Sequence, residues 1–176
     1  MKTFLLIGVS FAAAGCSGAP GLHKLDIEHL KVRVDVPSTA HDVDFIHETD
    51  GDGSAKEGKL SRVDITVPKL RMCQISIYPK GEDLTYEKRI ASAALKLFGI
   101  ERELTQWHRK EKTSDGWVLD YEVKENGKSM RVVTQRRTVG GKTFTCESGR
   151  ITVDEEAEQC AEYVAHACES MEPSKG

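Results

Sequence analysis

The sequence predicts an α+β domain in which an antiparallel sheet, including a strand meander, is covered by a middle helix and a C-terminal helix. Three observations carry this. Apolar and polar residues alternate in segments such as "KVRVDVP", "MCQISIY" and "WVLDYEVKE", the period of half-buried strands. Two stretches, one in the middle and one at the end, switch to helical spacing. Glycine-bearing dipeptides recur between strand-like segments in the second half.

In chain order, Val32, Val34 and Val36 share one face of "KVRVDVP" against charge on the other, and Pro37 stops the strand. "VDFIHE" and "SRVDITVP" then flank the loop "TDGDGSAKEG", and Cys73, Ile75 and Ile77 alternate in "MCQISIY" before Pro79. In "DLTYEKRIASAALKLFG" the period changes. Tyr86, Ile90, Ala94, Leu97 and Phe98 follow helical spacing, Asp83 or Thr85 supplies the cap and Gly99 the exit. Asp115-Gly116, Asn126-Gly127 and Gly140-Gly141 mark the hairpin turns of a meander. Within it Trp117, Leu119, Tyr121 and Val123 line the dry side of a strand whose other side carries Val118, Asp120, Glu122 and Lys124. Thr152 and Glu155 have capping-box spacing, and Ala157, Cys160, Ala161, Val164, Cys168 and Met171 form the apolar stripe of the closing helix.

The N-terminus has the parts of a secretory leader: Lys2, the apolar run "FLLIGVSFAAA", then small residues. That run is shorter than the roughly 20 residues a membrane span needs. Ala13-Ala14-Gly15 leads straight into Cys16, and this resembles the lipobox of bacterial lipoproteins. The resemblance implies diacylglycerol on the Cys16 thiol, cleavage before it, and acylation of the new amino terminus by a chain such as palmitate. It also implies a cell-envelope protein, and Ser17 in place of aspartate implies the outer membrane, facing the periplasm. The expected organisation is a signal peptide over 1–15, a lipidated N-terminus and tether over 16–22, one α+β domain over 23–172 and a tail over 173–176.

Removing residues 1–15 from the 176 leaves 161 and takes away one lysine, so the net charge moves from −3 to −4. That length suits one domain, and the balance lacks a nucleic-acid footprint. Four cysteines remain, Cys73, Cys146, Cys160 and Cys168, and in an exported protein they are expected to pair. Cys160 and Cys168 are eight residues apart in one predicted helix, about 12 Å, too far to bridge. With the strand ending near Ser148 and the helix starting near Asp154, Cys146 lies about 7 Å before the reversal and Cys160 about 9 Å after it. The expectation is Cys146 with Cys160 and Cys73 with Cys168.

The element pattern, with "VRVDVPS" near the start, the middle helix, "DGWVLDYEV", and "GGKTFTC" running into a final amphipathic helix, resembles the Mog1/PsbP-like fold, which includes small bacterial lipoproteins of the DcrB type. The resemblance implies a binding or accessory module with no catalytic residues to carry over.

The residues themselves offer little catalytic chemistry. "HETDGDGSAKEG" collects His47, Glu48, Asp50, Asp52, Ser54 and Glu57, oxygen donors of the kind calcium takes. An EF-hand loop begun at Asp50 would need glycine at Ala55 and glutamate at Ser61, and a zincin helix begun at His47 would need histidine at Gly51. The segment therefore reads as a turn, and no metal or cofactor is expected. Ser148 lacks a nucleophile elbow, Cys73 and Cys160 sit on apolar faces, and His166 lies off the helix stripe, so no catalytic residue is assigned. "WHRKEK" joins an aromatic to His108, Arg109 and Lys110, which with Arg131, Arg136, Arg137 and Lys142 on later strands would make a basic patch toward lipid phosphates or an acidic partner.

The function these readings support is a lipid-anchored envelope lipoprotein acting as a non-catalytic binding or accessory module. Its partners would be the membrane, through the anchor, and an envelope protein, peptidoglycan or lipid component, with no nucleic acid. The alternatives are a periplasm-facing hydrolase or metal-dependent enzyme assembled from distant residues, and a purely structural envelope component.

Overall fold

A computed structural model describes residues 21–40, 42–49, 55–70, 73–79, 85–93, 102–149, 151–154 and 156–175. Its best-formed local features are the hairpin turns. Asn126 and Gly127 take φ of 52° and 77°, and Gly140 and Gly141 take 57° and 76°, left-handed conformations that match the twist of the flanking strands. These turns join β7 (Gly116–Glu125) to β8 (Lys128–Val139), and β8 to β9 (Lys142–Ser148). The turn before β7 sits one residue earlier than its sequence signal. Thr113 of β6 (Arg102–Thr113) pairs with Gly116, leaving Ser114 and Asp115 at the tip. Gly116 is needed for space rather than for φ: a Cβ there would lie 1.8 Å from the Arg136 carbonyl oxygen.

The remaining elements are β1 (Leu22–Ile27), β2 (Val32–Pro37), β3 (Asp42–Thr49), β4 (Ala55–Thr66), β5 (Gln74–Tyr78), α1 (Tyr86–Ser92), β10 (Ile151–Thr152), α2 (Ala157–Ser170) and β11 (Glu172–Pro173). The main sheet is antiparallel in the order β3-β4-β5-β9-β8-β7-β6, with β10 pairing to β8 beyond the end of β9. β1, β2 and β11 form a separate small sheet. Thus the alternating "KVRVDVP" strand is real, but its partner is β1, which opens at Leu22, the last residue of the expected tether.

The period-two alternation places two cores on opposite faces of the main sheet. On one face Val63, Ile65, Ile75, Ile77, Val133, Phe144 and Cys146 meet the α2 stripe and the valines of β2. On the other, Trp117, Leu119, Tyr121 and Val123 gather Tyr86 and Ile90 of α1, together with Leu104 and Trp107 of β6. Each fully buried large side chain contributes about 1.5–3 kcal/mol, so the first, much larger cluster dominates stability.

Helix boundaries depart from the sequence reading in instructive ways. Thr85 caps α1, its hydroxyl accepting from the Lys88 amide at 3.3 Å; the expected C-terminal half of that helix lies outside the described residues. The expected capping box at Thr152 does not form. Thr152 is still strand, in register with Met130 of β8, and α2 opens at Ala157 after Glu156, which has no side-chain cap bond.

That shift corrects the disulfide pairing. The structure joins Cys73 to Cys160 and Cys146 to Cys168, with Cα separations of 5.7 and 5.6 Å. Because the chain runs on as β10, Cys146 lies roughly 20 Å before the reversal rather than about 7 Å. Cys168, eleven residues into α2, lies roughly 16 Å after it, and those depths match. Cys160, only three residues into the helix, is level instead with Cys73 at the entrance to β5. Both bonds clamp α2 to the main sheet, and all four cysteines are buried.

Candidate functional site

Away from α1, the second face of the main sheet is polar. The strand registers align Asp44 with Asp64, Asp64 with Ser76, Ser76 with Glu147, and Glu147 with Thr134, one transverse row across β3, β4, β5, β9 and β8. Ser76 Oγ donates to Asp64 Oδ1 at 2.7 Å, and the Arg62 guanidinium lies 2.9 Å from Asp64 Oδ2. Arg89, reaching down from α1, donates to Glu147 Oε2 at 2.6 Å, and Thr134 Oγ1 reaches the same oxygen at 3.3 Å. Asp64 is 3% exposed, and the bonds to both its oxygens offset the cost of burying it. In the next row, burial raises the Tyr78 phenol above its ordinary pKa, against the opposing effect of Arg62, which lies over the ring at 5.9 Å. The phenol therefore stays protonated through neutral pH.

This row holds charge rather than moving it. Asp64 and Glu147 are each committed to an arginine, no histidine stands in the row, and among the described residues no group of three or more His, Cys, Asp or Glu is placed to hold a metal ion. Sequence reasoning missed Arg62, Asp64, Ser76, Tyr78, Arg89 and Glu147 as a group. The available signal was that Asp64 and Ser76 each stand between two β-branched apolar residues, Val63 and Ile65, and Ile75 and Ile77.

The residues singled out from sequence are distributed differently. Cys16 and residues 50–54 of the acidic loop lie outside the described residues. β4 begins already at Ala55 and pairs with β3 through two register shifts, so the hairpin loop is shorter than "TDGDGSAKEG". The residues of the expected basic patch do not share one face. Arg136 and Lys110 point to the α1 side, in register with Trp117 and Leu119, and Lys110 sits over the Trp107 ring at 5.1 Å. On the α2 side His108 meets Glu122 at 2.9 Å, and Arg131 makes two bonds to Asp120 at 2.9 and 2.8 Å. Arg109 and Arg137 converge on Glu169 at the end of α2, the first on its carboxylate and the second on its carbonyl. Hydrogen bonding to Glu169 and to Asp120 raises the pKa of Arg109 and Arg131 respectively. These cations lock α2 and β6 to the meander.

The two edges of the main sheet complete the picture. β6 carries charges that are paired within the chain: Arg102 with Glu125, His108 with Glu122, Arg109 with Glu111 and Glu169, and Lys112 with Glu87. β3 presents Asp42 and Asp44 on the polar face, both exposed and without an ion pair among the described residues.

An antiparallel meander sheet with a helix packed on each face, the second following the last long strand, is an α+β fold. The solution structure of cyanobacterial PsbP (CyanoP) from Synechocystis sp. PCC 6803 is similar over 93% of this chain and 98% of its own, with a TM-score of 0.52 and 11% sequence identity. At that identity the likeness is one of fold. No protein-family model matches the chain, and no curated protein matches it.

Proposed function

We propose that this chain is a lipid-anchored lipoprotein of the bacterial cell envelope whose α+β domain is a non-catalytic binding or accessory module. The observation that carries the reading is the cysteine arithmetic. Four of the five cysteines are consumed in two buried disulfides, the chemistry of an oxidising compartment, which leaves Cys16 as the odd one behind an apolar leader. Strand pairing begins at Leu22, so an anchor at Cys16 would hold the domain within roughly 20 Å of its membrane. Among the described residues no helix is long and apolar enough to cross a membrane, and several acyl chains on one residue give stable attachment without one. The accessory role is supported by the PsbP-like fold and by a polar row whose two inner carboxylates, Asp64 and Glu147, are held by arginines. The outer membrane, facing the periplasm, follows from Ser17 after the anchor cysteine, and the partner is an envelope protein, peptidoglycan or lipid component.

Mass spectrometry of the mature N-terminal peptide tests the anchor: it should begin at Cys16 and carry acyl chains, and Cys16→Ser should leave an unprocessed precursor. An unmodified Cys16 overturns it. Turnover of an ester, phosphate or glycan substrate by the purified chain, abolished by one point substitution, would overturn the non-catalytic role.

A further inference from the structure

The binding-module reading leaves open where a partner would sit, and the two ends of the main sheet differ sharply in how they treat an incoming strand. At β6 the edge is blunted: charges alternate along it, they are held in ion pairs, and two register shifts twist the strand. β3 has neither basic nor proline guards. Its sequence "DVDFIHET" contains no lysine, arginine or proline, and its register shifts fall only after Ile46, leaving residues 42–46 as a regular run paired with β4 on the inner side. On the outer side those residues have no strand partner among the described residues. Two of the four exposed large hydrophobic residues among those described, Phe45 at 40% and Ile46 at 38%, also lie here.

We infer that the outer edge of β3 is a strand-addition site for an extended segment of another envelope protein in which basic and apolar residues alternate. The pattern follows from the pleat. Asp42 and Asp44 project to the polar face, and Val43 and Phe45 to the core face, where Phe45 meets the His29 ring edge-on at 5.0 Å. Across β4, Asp44 faces Asp64, whose charge is already spent on Arg62 and Ser76, and no cation among the described residues pairs with Asp44, so its charge is open to one from a partner. An added strand with lysine or arginine opposite Asp42 and Asp44 supplies it, and apolar residues at the intervening positions cover Val43 and Phe45. A second copy of this chain is a poor occupant. Antiparallel pairing of β3 with its own two-fold mate sets Asp42 against Asp44 when centred on Val43, and Asp44 against itself when centred on Asp44, and like charges directly opposite destabilise a sheet.

The inference rests on the binding-module reading, and its test is independent of the anchor. A synthetic peptide of about eight residues alternating lysine with valine is titrated calorimetrically into the purified full-length chain, alongside three controls. The first is the same peptide N-methylated at alternate amides, which keeps its charge and side chains but cannot join the ladder. The second alternates glutamate with valine. The third is the Asp42→Lys, Asp44→Lys chain, checked for an unchanged melting temperature. Saturable binding should weaken at least tenfold on N-methylation, and the double variant should exchange its preference for the glutamate peptide. Equal affinity for the N-methylated peptide would reduce the effect to charge attraction and overturn the proposal. So would equal affinity for the glutamate peptide, absence of binding, or a chain dimer that the double variant dissociates. Peptide binding by a chain whose Cys16 proves unlipidated would sink the anchor alone, and lipidated Cys16 without peptide binding would sink the edge alone.

Discussion

The crossed disulfides give a quantitative handle on how α2 is held. Cys73–Cys160 closes a separation of 87 residues and Cys146–Cys168 one of 22. In the chain-entropy model these loops are worth about 4.6 and about 3.4 kcal/mol at 25 °C, a difference of about 1 kcal/mol in favour of the longer one. All four cysteines are buried, so replacing either pair by alanine removes similar side-chain volume and the packing loss nearly cancels in the comparison. Cys73→Ala with Cys160→Ala should therefore destabilise the chain by about 1 kcal/mol more than Cys146→Ala with Cys168→Ala. Urea unfolding followed by fluorescence of Trp107 and Trp117 measures both, and the urea slope should rise in each variant because the unfolded chain becomes less compact. Non-reducing peptide mapping runs beside it. Equal losses, or the larger loss for the shorter loop, would refute the loop argument, and a peptide joining Cys146 to Cys160 would refute the geometry of β10 and α2.

Two further outcomes follow from local geometry. Gly116→Ala should cost more than about 2 kcal/mol, because its methyl would overlap the Arg136 carbonyl oxygen at 1.8 Å, whereas Gly127→Ala, with open space around it, should lose only about 1 kcal/mol to its left-handed φ; thermal melts rank the two. Asp115 has its pKa lowered by hydrogen bonds from Arg137 and then Thr113, so its contribution is complete above the unfolded value near 4 and is lost as pH falls through the lower folded one. The pair is partly solvated, so Asp115→Asn should cost about 0.5–1 kcal/mol at pH 7 and progressively less below about pH 4; a gap between the two chains that stays constant down to pH 2 would show that the charge is not the cause.

Local chemistry in the sequence was enough to determine the α+β class, the strands of the meander, the Asn126-Gly127 and Gly140-Gly141 turns and the apolar stripe of α2. Each of these depends on a residue's own conformational preference or on a period of two or 3.6, which neighbours along the chain express without help. What tertiary structure alone decided lies between elements. Whether Thr152 caps a helix or finishes a strand depends on whether Met130 of β8 is there to pair with it, and that one choice set the cysteine pairing. Whether Arg109, Arg131 and Arg137 form a patch or a clamp depends on Glu169 and Asp120, brought to them by α2 and β7. The polar row from Asp44 to Thr134 exists only as a register across five strands, and pairing partners that far apart in sequence leave no periodicity for the chain to display.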